Sequence, residues 1–285
     1  MREREGKTLV IVGTGKNVGK TVAMRSIYDA AVSAGIMPGL TSIGRDGEAI
    51  DVGDAGSKPR LFLLPDTVVA TASSVLPVTP ASEMLALSSL QTAAGRLIYA
   101  RVKTPAYYEL VGPPSASGVS EAVATLRRHV PFVIVDGAID RIAALSGTGD
   151  AIVVACGASA SGTMEQAIDD ARALVTRLTI PRYTGGEAVH ITGALTPTVV
   201  AELIRAKESR TIVVRDATQV ILNGRSALAA LEALTVRCER ALNVVAVTVA
   251  SIGRERSFEP RTFAREVAAA TGLPTFDVYA AERAA

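Results

Sequence analysis

The chain has no tryptophan, and aromatic residues make up only 4% of it. That removes most of the stacking platforms on which a single-strand nucleic-acid binder depends. Its formal net charge is +2 over 285 residues. There is no broad basic field for a duplex, so no nucleic-acid partner is expected. There are two cysteines, Cys156 and Cys238. Two thiols at that separation, in apolar surroundings, form neither a disulfide framework nor a metal-ligand spacing, and core packing is their expected role. No apolar stretch reaches the ~20 residues a bilayer crossing needs. The charged start Met1–Lys7 leads into an apolar run too short for a secretory signal. A soluble cytoplasmic protein with no membrane partner is expected. His129 and His190 have no partner at metal or triad spacing, and no Gly-x-Ser-x-Gly elbow is present.

What is present is hydrophobic content and alternation. Hydrophobic residues make up 48% of the chain, enough for a large core. Near the start, Thr8-Leu9-Val10-Ile11-Val12 reads as a buried parallel strand. It runs into Gly13-Thr14-Gly15-Lys16-Asn17-Val18-Gly19-Lys20-Thr21, and a helical pattern begins at Val22. A glycine-rich turn between strand and helix, ending Gly-Lys-Thr, is suited to phosphate. Glycines let the chain curl so that several N–H groups converge on one anion. The free amides at the helix start add donors and partial positive charge. In this pattern Lys20 meets the terminal phosphates and the Thr21 hydroxyl meets magnesium. Lys16 and Asn17 either touch phosphate or carry a glycine-like backbone angle. The usual glycine five places before Gly19 is replaced by Thr14, with Gly13 and Gly15 on either side.

Further along, strand and helix signals alternate, which implies parallel pairing and right-handed crossovers. Strands are expected at Pro38–Gly44, Arg60–Leu64, Leu97–Val102, Pro131–Val135, Asp150–Cys156, Val189–Leu195, Thr211–Val214, Val244–Ala250 and Thr275–Val278, with a further candidate at Tyr107–Val111. Helices are expected at Val22–Ala34, Ser82–Leu90, Ser120–Arg128, Thr163–Leu178, Val199–Lys207, Ala227–Glu239 and Pro260–Ala270. The expected architecture is a three-layer α/β/α, mostly parallel sheet, with the ligand at the carboxyl ends of its strands. Residues 1–180 would form the nucleotide-binding domain, and 181–285 an extension of it or a smaller α/β lobe.

Two carboxylates are candidates for holding the metal. Phe132-Val133-Ile134-Val135-Asp136-Gly137 is an apolar strand ending in Asp136, the form of a Walker B segment. The alternative is that Asp136 caps the following turn. Asp46 follows the second strand, in a polar, acidic stretch over 45–58, and either serves magnesium or is simply solvated. Arg45 beside it could neutralise charge developing on a phosphate. The turn Gly157–Gly162 either lines the nucleotide or only starts a helix capped by Ser161. No Asn-Lys-x-Asp segment occurs, which tilts the base toward adenine.

The loop Gly13–Thr21 resembles that of dethiobiotin synthetase, with a similar Gly-Thr start, a Val-Gly-Lys-Thr end and the same longer spacing. It is also similar to the wider class of P-loop proteins that includes the cobyrinic acid amide synthetases, the nitrogenase iron protein and the Min-system ATPase. The resemblance implies a P-loop NTPase fold, ATP and Mg2+ as ligands, and carboxylates at Asp46 and Asp136 serving the metal. Two features depart from it. The position of the Min-type signature lysine is Gly15, with Lys16 one place along. The acidic-Gly-Ala-Gly-Gly stretch of dethiobiotin synthetase is here Asp136-Gly137-Ala138-Ile139-Asp140. Three readings stay open: ATP hydrolysis coupled to assembly, cofactor loading or reactivation of a partner enzyme; a ligase that activates a small carboxylate substrate; and a non-catalytic nucleotide sensor. A homodimer is compatible with each.

Overall fold

The computed structural model describes residues 6–44, 60–77, 81–137, 150–253 and 255–280. Among them the chain is an α/β protein with a large, mostly parallel sheet and six α-helices. It divides into two compact units, Met1–Ile11 with Thr21–Asp150, and Val12–Lys20 with Ala151–Ala285. No helix among the described residues is long and apolar enough to cross a membrane.

The first unit begins with β1 (Lys7–Gly13), whose last two residues belong to the second, and α1 (Lys20–Ser33), which enters it at Thr21. Then come β2 (Gly39–Ser42), β3 (Leu61–Leu63), β4 (Val68–Ala72), β5 (Ser82–Thr92), β6 (Gly95–Val102), β7 (Ala106–Tyr108), α2 (Ala116–Leu126) and β8 (Phe132–Asp136). The strands lie in the order β1-β8-β2-β4-β6-β5. The first four are parallel; β6 and β5 are antiparallel additions. A separate antiparallel ribbon joins β3 to β7.

Position in the sheet explains sequence pattern. Strand β8 lies between β1 and β2, so Val133, Ile134 and Val135 are fully buried and the run shows no alternation. Helix α2 is capped by Ser115, whose hydroxyl accepts the Gly118 N–H at 3.1 Å. Val119, Ala122, Val123 and Leu126, at helical spacing, form its buried stripe. From α1, the buried Tyr28 hydroxyl accepts the Leu64 N–H at 2.8 Å and shares a hydrogen bond with the Thr67 hydroxyl at 2.9 Å.

The second unit contains most of β9 (Asp150–Gly157), then α3 (Met164–Leu178), β10 (Ala188–His190), α4 (Pro197–Arg205), β11 (Thr211–Asp216), α5 (Gly224–Ala233), β12 (Val236–Arg240), β13 (Val244–Ala250), α6 (Pro260–Thr271) and β14 (Thr275–Asp277). Strands β9, β13 and β14 are parallel. A distinct parallel sheet, β10-β11-β12, has its own core of Leu195, Val200, Ile212, Val214, Ala230 and Val236.

Two expected helices are corrected. Residues 82–90 belong to β5, paired antiparallel with β6. Ser-Glu-Met-Leu-Ala-Leu is rich in helix formers, but hairpin pairing overrides that weak preference. The helix expected over 227–239 ends at Ala233, and Val236–Arg240 is strand β12, parallel to β11. Strand β4 was not expected, and the strand expected over 189–195 is only Ala188–His190.

Candidate functional site

Towards its end strand β1 is buried up to the last residue but one, with Val10, Ile11 and Val12 at most 1% exposed. A Cβ on the next residue, Gly13, would lie 2.6 Å from Val18 Cγ2 and 3.1 Å from the Lys20 stem. The loop therefore doubles back over its own first residue. Asn17 supplies one bend at φ 58° and Gly19 a second at φ 84°. Asn17 thus carries the glycine-like backbone angle that was one of its two expected roles. Val18 points inward and is 1% exposed, while Lys16 and Asn17 face solvent. Lys20 Nζ donates to the Gly15 carbonyl at 3.1 Å, closing the curl.

The loop is anchored within the second unit. Thr14 N–H donates to the Ala155 carbonyl of β9 at 3.0 Å. A Cβ on Gly15 would lie 3.4 Å from Ala160 Cβ, and one on Gly19 only 2.6 Å from Ala250 Cβ. Helix α1 begins at Lys20 and has no acidic residue in its first turn. Its leading amides have no intrahelical partner, so the loop ends at the positive end of a helix dipole that its own first turn does not offset.

Thr21 and Asp136 both belong to the first unit. Asp136 ends β8 in register with Ile11 of β1 and with Ser42 of β2. Its carbonyl accepts the Ile43 N–H at 2.8 Å, and the Gly137 N–H donates to Ile11 at 2.8 Å. The carboxylate therefore sits at the carboxyl end of its strand, as expected. Arg45 and Asp46 lie outside the described residues, as do the acidic stretch they open and residues 138–149.

Sequence reasoning missed a strap across this edge. Residues 109–113 are pinned to the first unit by Thr71, whose hydroxyl donates to the Glu109 carbonyl at 2.9 Å, and by Ser42, whose hydroxyl donates to the Leu110 carbonyl at 2.9 Å. A Cβ on Gly112 would fall 1.6 Å from the Ser42 carbonyl oxygen. The candidate strand Tyr107–Val111 covered part of it, but strand β7 is only Ala106–Tyr108, and the Gly112-Pro113-Pro114 punctuation does not announce the contact.

The helix after the Gly157–Gly162 turn is capped by Thr163, which corrects the expectation of Ser161. Ser161 instead donates to Asp170 at 3.2 Å. Both cysteines are free and buried. Burial pushes the Cys156 thiol up to about 12 and the Cys238 thiol up to about 11. His190 Nδ1 lies 3.6 Å from Glu239 on a half-exposed surface. Among the described residues no group of three His, Cys, Asp or Glu could hold a metal. A magnesium site here would be of the sparse kind, a few protein oxygens completed by phosphates. The Thr21 hydroxyl and the Asp136 carboxylate are hard oxygen donors of that chemistry.

No protein-family profile matches the chain, and no curated protein matches it in sequence.

Proposed function

We propose that this chain is a magnesium-dependent, ATP-binding P-loop NTPase of three-layer α/β/α architecture. In this reading ATP hydrolysis is coupled to assembly, cofactor loading or reactivation of a partner enzyme. The observation that carries it is the closed Gly13–Thr21 loop, which joins a parallel strand buried over Val10–Val12 to an α1 with no acidic residue in its first turn. A left-handed Asn17, a left-handed Gly19 and a lysine folded over the curl within five residues suit a loop that cradles an anion.

In this assignment the amides from Gly15 to Lys20 and the ammonium of Lys20 hold the phosphates. Thr21 and Asp136 hold magnesium, with Asp46 joining them. Arg45 stands ready to neutralise charge on the terminal phosphate. Bound magnesium–ATP supplies a phosphoryl group for transfer to water. The lack of an Asn-Lys-x-Asp segment favours adenine over guanine.

Purified protein given ATP and magnesium tests this. Phosphate release without any further small molecule supports coupling to a partner. Release only when a carboxylate and an amine or carbon dioxide are added would move the assignment to a carboxylate-activating ligase. Tight binding with no release, candidate partners included, would leave a nucleotide sensor. Lys20→Ala weakens ATP binding about tenfold to a hundredfold in every one of these cases; wild-type affinity in that variant would remove the loop from the account.

A further inference from the structure

We infer that the phosphate loop is set in its working shape by two residues outside it, Gly157 and Ala250, which form a floor for Val18 and Gly19. The inference rests on the nucleotide reading above and adds two positioning residues to it. Gly157 is the last residue of β9 and Ala250 the last of β13, and they are register partners across those neighbouring strands. Consecutive residues of the loop meet this pair. A Cβ on Gly157 would lie 2.8 Å from Val18 Cα, 2.9 Å from its carbonyl carbon and 3.0 Å from its oxygen. A Cβ on Gly19 would lie 2.6 Å from Ala250 Cβ.

The kind of atom met at Gly157 is what matters. The obstructing atoms are all backbone, so no rotamer change makes room for a side chain there. Gly157 is not among the glycines with positive φ. Its freedom of conformation is therefore not what the site uses; the absence of a side chain is. Any side chain at 157 must lift the Val18 peptide, two residues before Lys20. Branching at 250 must find room against Gly19, the bend that delivers Lys20. Either change moves amides that a phosphate has to meet together, and small displacements of preorganised donors are costly to binding.

Gly13 offers an internal contrast. There the nearest atom is Val18 Cγ2 at 2.6 Å, a side-chain methyl that a truncation removes. Gly13→Ala and Gly157→Ala should therefore respond differently to the same second substitution.

The test titrates magnesium–ATP into wild type, Gly157→Ala, Ala250→Val, Gly13→Ala and the two glycine variants combined with Val18→Ala. Thermal unfolding without nucleotide is followed in parallel. Gly157→Ala and Ala250→Val are expected to melt within about 5 °C of wild type, the range of a small local change. Both should bind at least about tenfold more weakly, as displaced loop amides would cause. Val18→Ala restores binding at least in part to Gly13→Ala and none to Gly157→Ala. Wild-type affinity in both Gly157→Ala and Ala250→Val overturns the inference while leaving the nucleotide reading intact. So does rescue of Gly157→Ala by Val18→Ala. If Gly157→Ala does not fold, Ala250→Val decides: weakened binding supports the floor, and unchanged binding overturns it. Failure of the wild type to bind ATP at all overturns the nucleotide reading, and this inference with it.

Discussion

Thr14 donates its backbone N–H to the carbonyl oxygen of Ala155 at 3.0 Å. The residue standing where the usual loop has its first glycine is thus hydrogen-bonded to strand β9. Its amide is committed within the protein and is not a donor for an anion. Amide hydrogen exchange reads this directly. The Thr14 amide should be protected whether or not nucleotide is added, while the segment Gly15–Thr21 as a whole gains protection on adding ATP. Protection arising at Thr14 on adding ATP, with none at Gly15–Thr21, would contradict the assignment.

Asp136 ends β8 beside Ile11 and Ser42, and its proposed role is metal binding. Asp136→Asn keeps the shape and removes the charge. Raising magnesium should then recover part of the lost turnover, because a weakened site refills by mass action. Phosphate release measured across a magnesium series checks this. Turnover and magnesium dependence identical to wild type would remove Asp136 from the site.

Tyr28 ties α1 to the Leu64–Thr67 turn through its buried hydroxyl. Tyr28→Phe leaves the Leu64 N–H and the Thr67 hydroxyl short of a partner at nearly constant volume. A loss of about 1–3 kcal/mol is expected, the usual cost of a buried donor left unmade. Urea unfolding measures it, and an unchanged midpoint would show that water replaces the hydroxyl.

Asp216 ends β11 fully buried. Burial alone would raise its carboxyl pKa. Hydrogen bonds from the Thr218 hydroxyl, Arg215 and the Thr218 amide outweigh that, and the net shift is downward. A carboxylate whose pKa is lower folded than unfolded contributes stability above the unfolded value. That contribution is lost as pH falls through the folded one. Stability should therefore decline below about pH 4, the ordinary aspartate range, and Asp216→Asn should flatten that decline. Equal acid limbs for the two proteins would assign the decline to other groups.

Local features were the ones legible in the sequence. Strand β1, the loop and the start of α1 are contiguous, and so are the apolar run of β8 and its terminal Asp136. Each reads from spacing and hydrophobicity alone. What needed three dimensions did not show. Ser82–Thr92 contains helix formers, and only its pairing with β6 makes it a strand. Val236–Arg240 follows a helix with no glycine or proline to mark the break, and its parallel register with β11 is a long-range fact. Gly157 and Ala250 are more than ninety residues apart, and β9–β13 pairing alone puts them side by side. Nor does the word Gly-Pro-Pro announce that Gly112 lies against the Ser42 carbonyl.

The most direct test is a calorimetric titration of magnesium–ATP into the folded wild-type chain and into Lys20→Ala. The account predicts saturable binding by the wild type. The variant should bind about tenfold to a hundredfold more weakly, the worth of charge-assisted hydrogen bonds to a phosphate. Absence of heat with both adenine and guanine nucleotides, or equal affinity in the two proteins, would contradict it.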